Sequence, residues 1–261
     1  MTTARVPRLL CLACLTVLLV AGCSKKSPEP AATPAPPATA APATTAPKPP
    51  AGSVSLGDAT AYAALARGRS VVVRSSPGGG KPVDLIPAKL IWGTPTPFLV
   101  SEARRVDGKL WYRVLLPKRP NESSGWVSAD QVSLGPRDYR AEVDLSDRRL
   151  TLYKGDGVAR TFRVGIGRPS TPTPTGHFFV TVRLRPPQVS TAYGAWALGL
   201  SGYSQVLAQF GTGDGQIALH GTRNLANLGH QVSNGCVRLD NEAISLLAVL
   251  LDPGSPVEIK E

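Results

Sequence analysis

Proline and glycine interrupt this chain too often for long helices to form. Its 261 residues include 25 Pro and 26 Gly. Proline removes a backbone donor and clashes with the preceding helical turn, and glycine loses extra entropy in any regular element. Short strands, tight turns and extended spacers are what such a chain can build. A hydrophobic content of 42% is enough for a packed core, and the length suits one to two domains plus tails. The expected fold class is mainly β.

The densest proline region cannot fold at all. Residues 24–51 hold nine prolines among Ala, Thr and a few Lys. They have no apolar period and no means of building a core. In the polyproline conformation, at about 3.1 Å per residue, this spacer reaches on the order of 85 Å. Upstream, Arg5 and Arg8 precede an apolar run from Leu9 to Val20. That run is shorter than the roughly 20 residues a membrane span needs. With small residues after it, it reads as a secretory signal over residues 1–22. Leu19-Val20-Ala21-Gly22-Cys23-Ser24 resembles a bacterial lipobox, which implies that Cys23 is lipidated and tethers an exported chain to the membrane. An ordinary signal with an incidental Cys23 is the alternative.

Four cysteines then reduce to one. Cys11 and Cys14 leave with the signal, Cys23 carries lipid, and Cys236 remains. An exported protein meets an oxidising space in which paired cysteines are the norm. An unpaired thiol there needs burial or a task.

The formal charge is +11, and its distribution matters more than its size. Residues 24–138 carry 15 basic and 8 acidic side chains, whereas residues 139–261 carry 12 and 10. The excess therefore lies in the N-terminal half, which favours an anionic surface such as lipid headgroups or wall polymers. No nucleic-acid motif accompanies it, so no nucleic-acid partner is expected, and no oligomeric state is set.

Two folded units follow the spacer. In the first, Ser70-Val71-Val72-Val73-Arg74 and Phe98-Leu99-Val100 are strand signals. Pro77-Gly78-Gly79-Gly80 is a turn, and Asp107-Gly108 is the turn before an alternating strand from Lys109 to Leu116. Thr60–Arg67 has a helix-like composition and reads as a lead-in. The Val-Arg-Ser-Ser-Pro start, the Trp-Tyr-Arg-Val strand and the Gly-Trp-Val turn resemble a bacterial SH3-like domain, a small barrel expected over 58–135. Trp111, Tyr112 and Trp126 fit its core and rim, with a ligand groove as the other reading.

In the second unit, Arg140–Leu145 and Arg149–Tyr153 form a hairpin about Ser146-Asp147-Arg148. Prolines 169, 172 and 174 exclude a ladder interior there. Gln216–Leu219 reads as a buried strand carrying His220. Asn224, Asn227 and Gly229 mark a loop. Asp240-Asn241-Glu242 then opens an apolar run with helical spacing. These elements place Cys236, sixteen positions after His220, in a turn between loop and helix, near backbone N–H groups. Such a location lowers a thiol pKa and can hold an oxyanion.

His220-Gly221, then Ser233-Asn234-Gly235-Cys236-Val237-Arg238-Leu239, preceded by Thr173-Pro174-Thr175-Gly176-His177-Phe178, resembles the L,D-transpeptidase catalytic domain of the YkuD type. The likeness covers about Tyr139 to Ile259, within a unit bounded as 139–261. It implies a β-sandwich-like fold with a C-terminal helix after the cysteine and a Cys–His site in a groove. Cys236 is then the nucleophile and His220 its base, with the Gly221 carbonyl fixing the imidazole. Gly235 and Cys236 N–H groups are oxyanion candidates, Ser233 braces the loop, and Arg238 suits a substrate carboxylate or pairs with Asp240. Asn234 stands where many relatives carry a second His, so it can donate but not titrate. His230 and His177 are expected to be structural. The implied reaction is acyl transfer on peptidoglycan stem peptides through a Cys thioester, linking third residues, with no cofactor or metal. An L,D-carboxypeptidase, a protein-to-peptidoglycan attachment enzyme and a non-catalytic wall-binding lipoprotein are the alternatives. Relatives are often acylated by carbapenems.

Overall fold

A computed structural model describes residues 51–186, 192–209 and 213–261. The signal, Cys23 and all but the last residue of the proline-rich spacer lie outside those residues. The described chain is mainly β, with one α-helix near its C-terminus.

The first sheet contains β1 (Ala61–Ala66), β2 (Ser70–Arg74), β3 (Pro82–Pro87), β4 (Pro97–Val106), β5 (Lys109–Leu115), β6 (Ser124–Ser128) and β7 (Val132–Arg137). The order is β3-β2-β6-β5-β4-β1-β7, and every pairing is antiparallel. Ala64, Val71, Val73, Phe98, Tyr112, Val114, Val127 and Val132 form one buried core inside it. The β4–β5 hairpin closes through Asp107 and Gly108, both at positive φ, with Val106 opposite Lys109. Two left-handed residues match the twist of the flanking strands, which is why Asp-Gly makes this turn.

Two expectations change here. Thr60–Arg67 is not a helical lead-in, because Ala61–Ala66 is strand β1, paired on both sides by β4 and β7. Alanine favours helix by local propensity, but a strand covered on both faces needs small side chains, and the pairing overrides the propensity. Ala64 packs into the sheet's own core, and Ala63 lies against the turn at Gly254. Likewise, Gly125-Trp126-Val127 lies within strand β6, not in a turn. Trp111, Tyr112 and Trp126 are all buried, which favours their reading as core.

The second sheet follows almost without a break. It contains β8 (Tyr139–Asp144), β9 (Arg149–Lys154), β10 (Gly157–Arg163), β12 (Gly176–Leu184), β13 (Ala197–Tyr203), β14 (Gln216–Gly221), β16 (Val237–Leu239) and β17 (Pro256–Lys260). The order is β10-β9-β8-β17-β12-β13-β14-β16. A separate short pair joins β11 (Ile166–Gly167) to β15 (Gln231–Ser233). The last strand, β17, inserts between β8, which it parallels, and β12. Both faces of β13 are buried, and Gly202 within it leaves room for the Phe178 ring, 2.6 Å from where a Cβ would stand.

Helix α1 (Asn241–Leu250) starts where the sequence placed it. Asp240 caps it, its side chain accepting from Ala243 N–H at 2.7 Å. Ala243, Ile244, Leu247 and Ala248 bury one face in the core built from Leu198, Leu200, Ile217, Leu219, Val237 and Leu239. Both sheets belong to one compact unit. Arg137, at the seam, donates twice to the Pro253 carbonyl, at 2.9 and 2.6 Å.

Candidate active site

Strands β14 and β16 run side by side in parallel, with Leu219 opposite Val237 and His220 opposite Arg238. Side chains alternate along a strand. Leu219, Val237 and Leu239 therefore point together into the core, where none is exposed. His220, Arg238 and Cys236, just before β16, fall on the other face. All three line one cleft of about 110 Å³, with Ser233, Asn234, Tyr193, Ser204, Leu207 and Gln216.

His220 is 4% exposed. Its Nδ1 meets the Gly221 carbonyl oxygen at 2.8 Å. A carbonyl only accepts, so Nδ1 carries the proton and Nε2 keeps a lone pair. Burial pushes the imidazole pKa down to about 4; the Gly221 bond opposes that shift, and the Arg238 charge adds to it. His220 is thus a neutral base near pH 7. Tyr193 stacks edge-on against it, with ring centroids 5.2 Å apart and planes at 74°.

The acceptor for Nδ1 is held from behind. A Cβ on Gly221 would stand 2.4 Å from Asn241 Oδ1 and 3.1 Å from Ala195 N. Asn241 Oδ1 itself accepts from Ala195 N–H at 2.8 Å. Gly194, at φ +63°, closes the layer, with no room for a Cβ against Gly221. Sequence reasoning did not find Tyr193, Gly194 or Asn241. Asn241 carried the only signal, a polar residue two positions after the site motif, and it read as part of the helix start.

The thiol sits at the end of a built turn. Ser233 Oγ donates to the Cys236 carbonyl at 2.6 Å and accepts from Gly235 N–H at 3.1 Å. Gly235 has φ +114°, a backbone that other residues rarely adopt. The Ser233 carbonyl accepts from Arg168 N, Arg168 Nε and Thr171 Oγ1. Thr171 Oγ1 also reaches Asn234 Oδ1 at 3.4 Å. The proline-rich loop after β11 therefore clamps the turn that presents the sulfur.

The electrostatic expectation for the thiol changes. Strand β16 and the cap residue Asp240 stand between Cys236 and helix α1 in the chain, so the thiol does not sit in the turn that opens the helix. Burial raises the Cys236 pKa, against smaller lowering effects from a hydrogen bond with the Ala218 backbone and from the Arg238 charge. Burial thus works against both charged forms, thiolate and imidazolium, in the two groups that line the cleft. The oxyanion expectation narrows as well, because Gly235 N–H is engaged by Ser233.

Arg238 does not pair with Asp240, which caps the helix instead. Its Nε is buried without a partner. His230 is exposed and bonds through its backbone, its carbonyl accepting from Ile166 N–H and its N–H donating to the Asn227 carbonyl, while His177 is exposed on β12. Among the described residues, no group of three or more His, Cys, Asp or Glu side chains is placed to hold a metal ion.

The fold and this cleft together define a β-rich catalytic domain with a thiol and an imidazole at its site. The family model for the L,D-transpeptidase catalytic domain (YkuD) matches residues 138–259. The YkuD protein of Bacillus licheniformis, which bears the L,D-transpeptidase name, is 30% identical over 165 residues, covering 60% of this chain and 92% of that protein. Its Bacillus subtilis counterpart is 32% identical over 159 residues, covering 59% and 88%. Among solved structures, an Enterococcus faecium L,D-transpeptidase matches at 22% identity and a TM-score of 0.37, over 48% of this chain and 50% of that one. The chain belongs to the YkuD L,D-transpeptidase family.

Proposed function

We propose that this protein is a cysteine-dependent L,D-transpeptidase acting on peptidoglycan stem peptides, with Cys236 as nucleophile and His220 as its general base. One observation carries the reading. His220 and Cys236 share a cleft, on one face of two adjacent strands, and the Gly221 carbonyl holds the tautomer that leaves Nε2 able to accept a proton.

In the first half-reaction the Cys236 proton passes to His220 Nε2 as the sulfur attacks the carbonyl carbon of the donor's third residue. Negative charge gathers on the carbonyl oxygen. The Cys236 N–H and the Asn234 amide are the donors assigned to it, with Gly235 allowing close approach. The C–N bond then breaks, His220 returns its proton to the leaving D-Ala amine, and a thioester remains. In the second half, an amine of a neighbouring stem attacks the thioester, His220 takes its proton, and the sulfur leaves as thiol. A link between two third residues results. The orphan Nε of Arg238 suits the donor's carboxylate, which a guanidinium binds through paired hydrogen bonds.

Water as acceptor makes the protein an L,D-carboxypeptidase, and a protein amine makes it an attachment enzyme. We read the first sheet as the SH3-like domain, because of its Val-Arg-Ser-Ser-Pro and Trp-Tyr-Arg-Val segments. The lipobox-like Cys23 would tether the chain, exported, to a membrane facing the wall.

The test combines a carbapenem with defined muropeptides, read by mass spectrometry. The expected result is a covalent adduct that disappears in Cys236→Ala, and a dimer linked through third residues. Absence of both adduct and tetrapeptide turnover would leave a non-catalytic wall-binding lipoprotein as the reading.

A further inference from the structure

One wall of the cleft is bonded by a side chain from the first sheet. Ser204, Leu207 and Gly215 of the connection between β13 and β14 line it, with Gln216 at the start of β14. Arg119 belongs to the connection between β5 and β6 of the first sheet. Its Nη1 donates to the Ser204 carbonyl at 2.7 Å. Its Nη2 donates to the Leu207 carbonyl at 3.0 Å and to the Asp214 carbonyl at 2.9 Å. The guanidinium also lies 4.8 Å from the centroid of the Tyr203 ring. Three carbonyls of one connection thus converge on one side chain from the other sheet.

Neighbouring contacts reinforce this junction. Asn121 makes a reciprocal pair with the Tyr203 backbone, donating to its carbonyl and accepting from its N–H, each at 2.9 Å. Tyr203 Oη donates to the Pro117 carbonyl at 3.1 Å. The wall closes on itself where Ser204 N–H meets the Gly215 carbonyl at 2.8 Å. A Cβ on Gly215 would fall 2.3 Å from the Leu207 carbonyl oxygen and 2.8 Å from Arg119 Nη2, so the guanidinium occupies space that only glycine leaves open.

We propose that Arg119 is a positioning residue for the donor-binding wall, so that the N-terminal β domain takes part in substrate recognition and is not merely a tether. The inference rests on the transpeptidase reading for its substrate, a stem peptide. The physical reason is entropy. Backbone carbonyls on a surface connection can satisfy themselves with water and sample many conformations. A planar fork that gathers three of them selects one conformation before substrate arrives, which strengthens binding without touching the reacting atoms. Lysine cannot replace it, because one ammonium on a flexible stem does not span the three acceptors.

The test uses full-length protein. In Arg119→Ala, KM for the donor tetrapeptide should rise about tenfold while kcat stays within about threefold, the pattern of lost ground-state binding. Alkylation of Cys236 by iodoacetamide, which needs no wall, should stay within about twofold of the unchanged protein. Arg119→Lys should recover only part of the KM. An unchanged KM overturns the proposal, as does a joint fall of kcat, alkylation rate and thermal stability, which would make Arg119 a fold brace. If Arg119→Ala does not fold, Asn121→Ala reads the same split, and an unchanged KM there overturns it equally. Equilibrium binding of the tetrapeptide to Cys236→Ala, with and without Arg119→Ala, reads the wall without chemistry. About tenfold weaker binding in the double variant supports the proposal even if the protein turns nothing over, and equal affinity overturns it.

Discussion

Acid titration of His220 is the sharpest consequence of the geometry. Burial moves its pKa from the ordinary 6.5 to about 4. A gap of about 2.5 units corresponds to about 3 kcal/mol between the two protonation states. If His220 accepts the Cys236 proton, the rate follows its neutral fraction. At pH 5 that fraction is about nine-tenths for a group at about 4, and about 3% for an ordinary imidazole. The second-order rate of Cys236 acylation by a carbapenem, followed by intact mass from pH 8 downward, reports the free protein's groups. It should stay nearly level to pH 5 and fall with a midpoint near 4. The same shift affects stability. The unfolded chain takes up the His220 proton near 6.5, and the folded chain resists until about 4. Stability from this group is therefore complete above 6.5 and is lost as pH falls, by about 3 kcal/mol in all. A rate that halves near pH 6.5 would refute both the buried neutral imidazole and its use as the base.

Gly221→Ala should slow acylation of Cys236 and lower unfolding stability by about 1–3 kcal/mol, since its Cβ meets Asn241 Oδ1 and backbone at Ala195 and Gly194 that cannot move aside. Denaturant melts beside the acylation assay check this, and an unperturbed variant would mean that the layer behind the imidazole is looser than it looks. Cys23→Ala should shift the protein from the membrane to the soluble exported fraction, as expected for loss of a lipid anchor; a variant that still sediments with membranes would discard the lipobox reading.

Much of the catalytic unit was legible because its signals are local. Asp240 caps its helix, and Arg140–Leu145 with Arg149–Tyr153 encodes a hairpin, as Asp107-Gly108 encodes the β4–β5 turn of the first sheet. His220 and Cys236 were found through residue chemistry and a family pattern. The errors came where distant partners decide. Ala61–Ala66 is a strand only because β4 and β7 flank it, and the thiol lost its helix neighbour to β16, whose three residues are ladder only beside β14.

The sequence by itself determined the strand-rich class and marked the thiol and the imidazole that the fold brings to one cleft, because proline, glycine, side-chain alternation and thiol chemistry act within a few residues. Only the tertiary structure decided the state of that pair, a thiol raised and an imidazole lowered in pKa, because desolvation depends on what packs around a group and not on its neighbours in the chain. It also decided that Arg119, 85 positions from Ser204, bonds the carbonyl of a residue that lines the cleft.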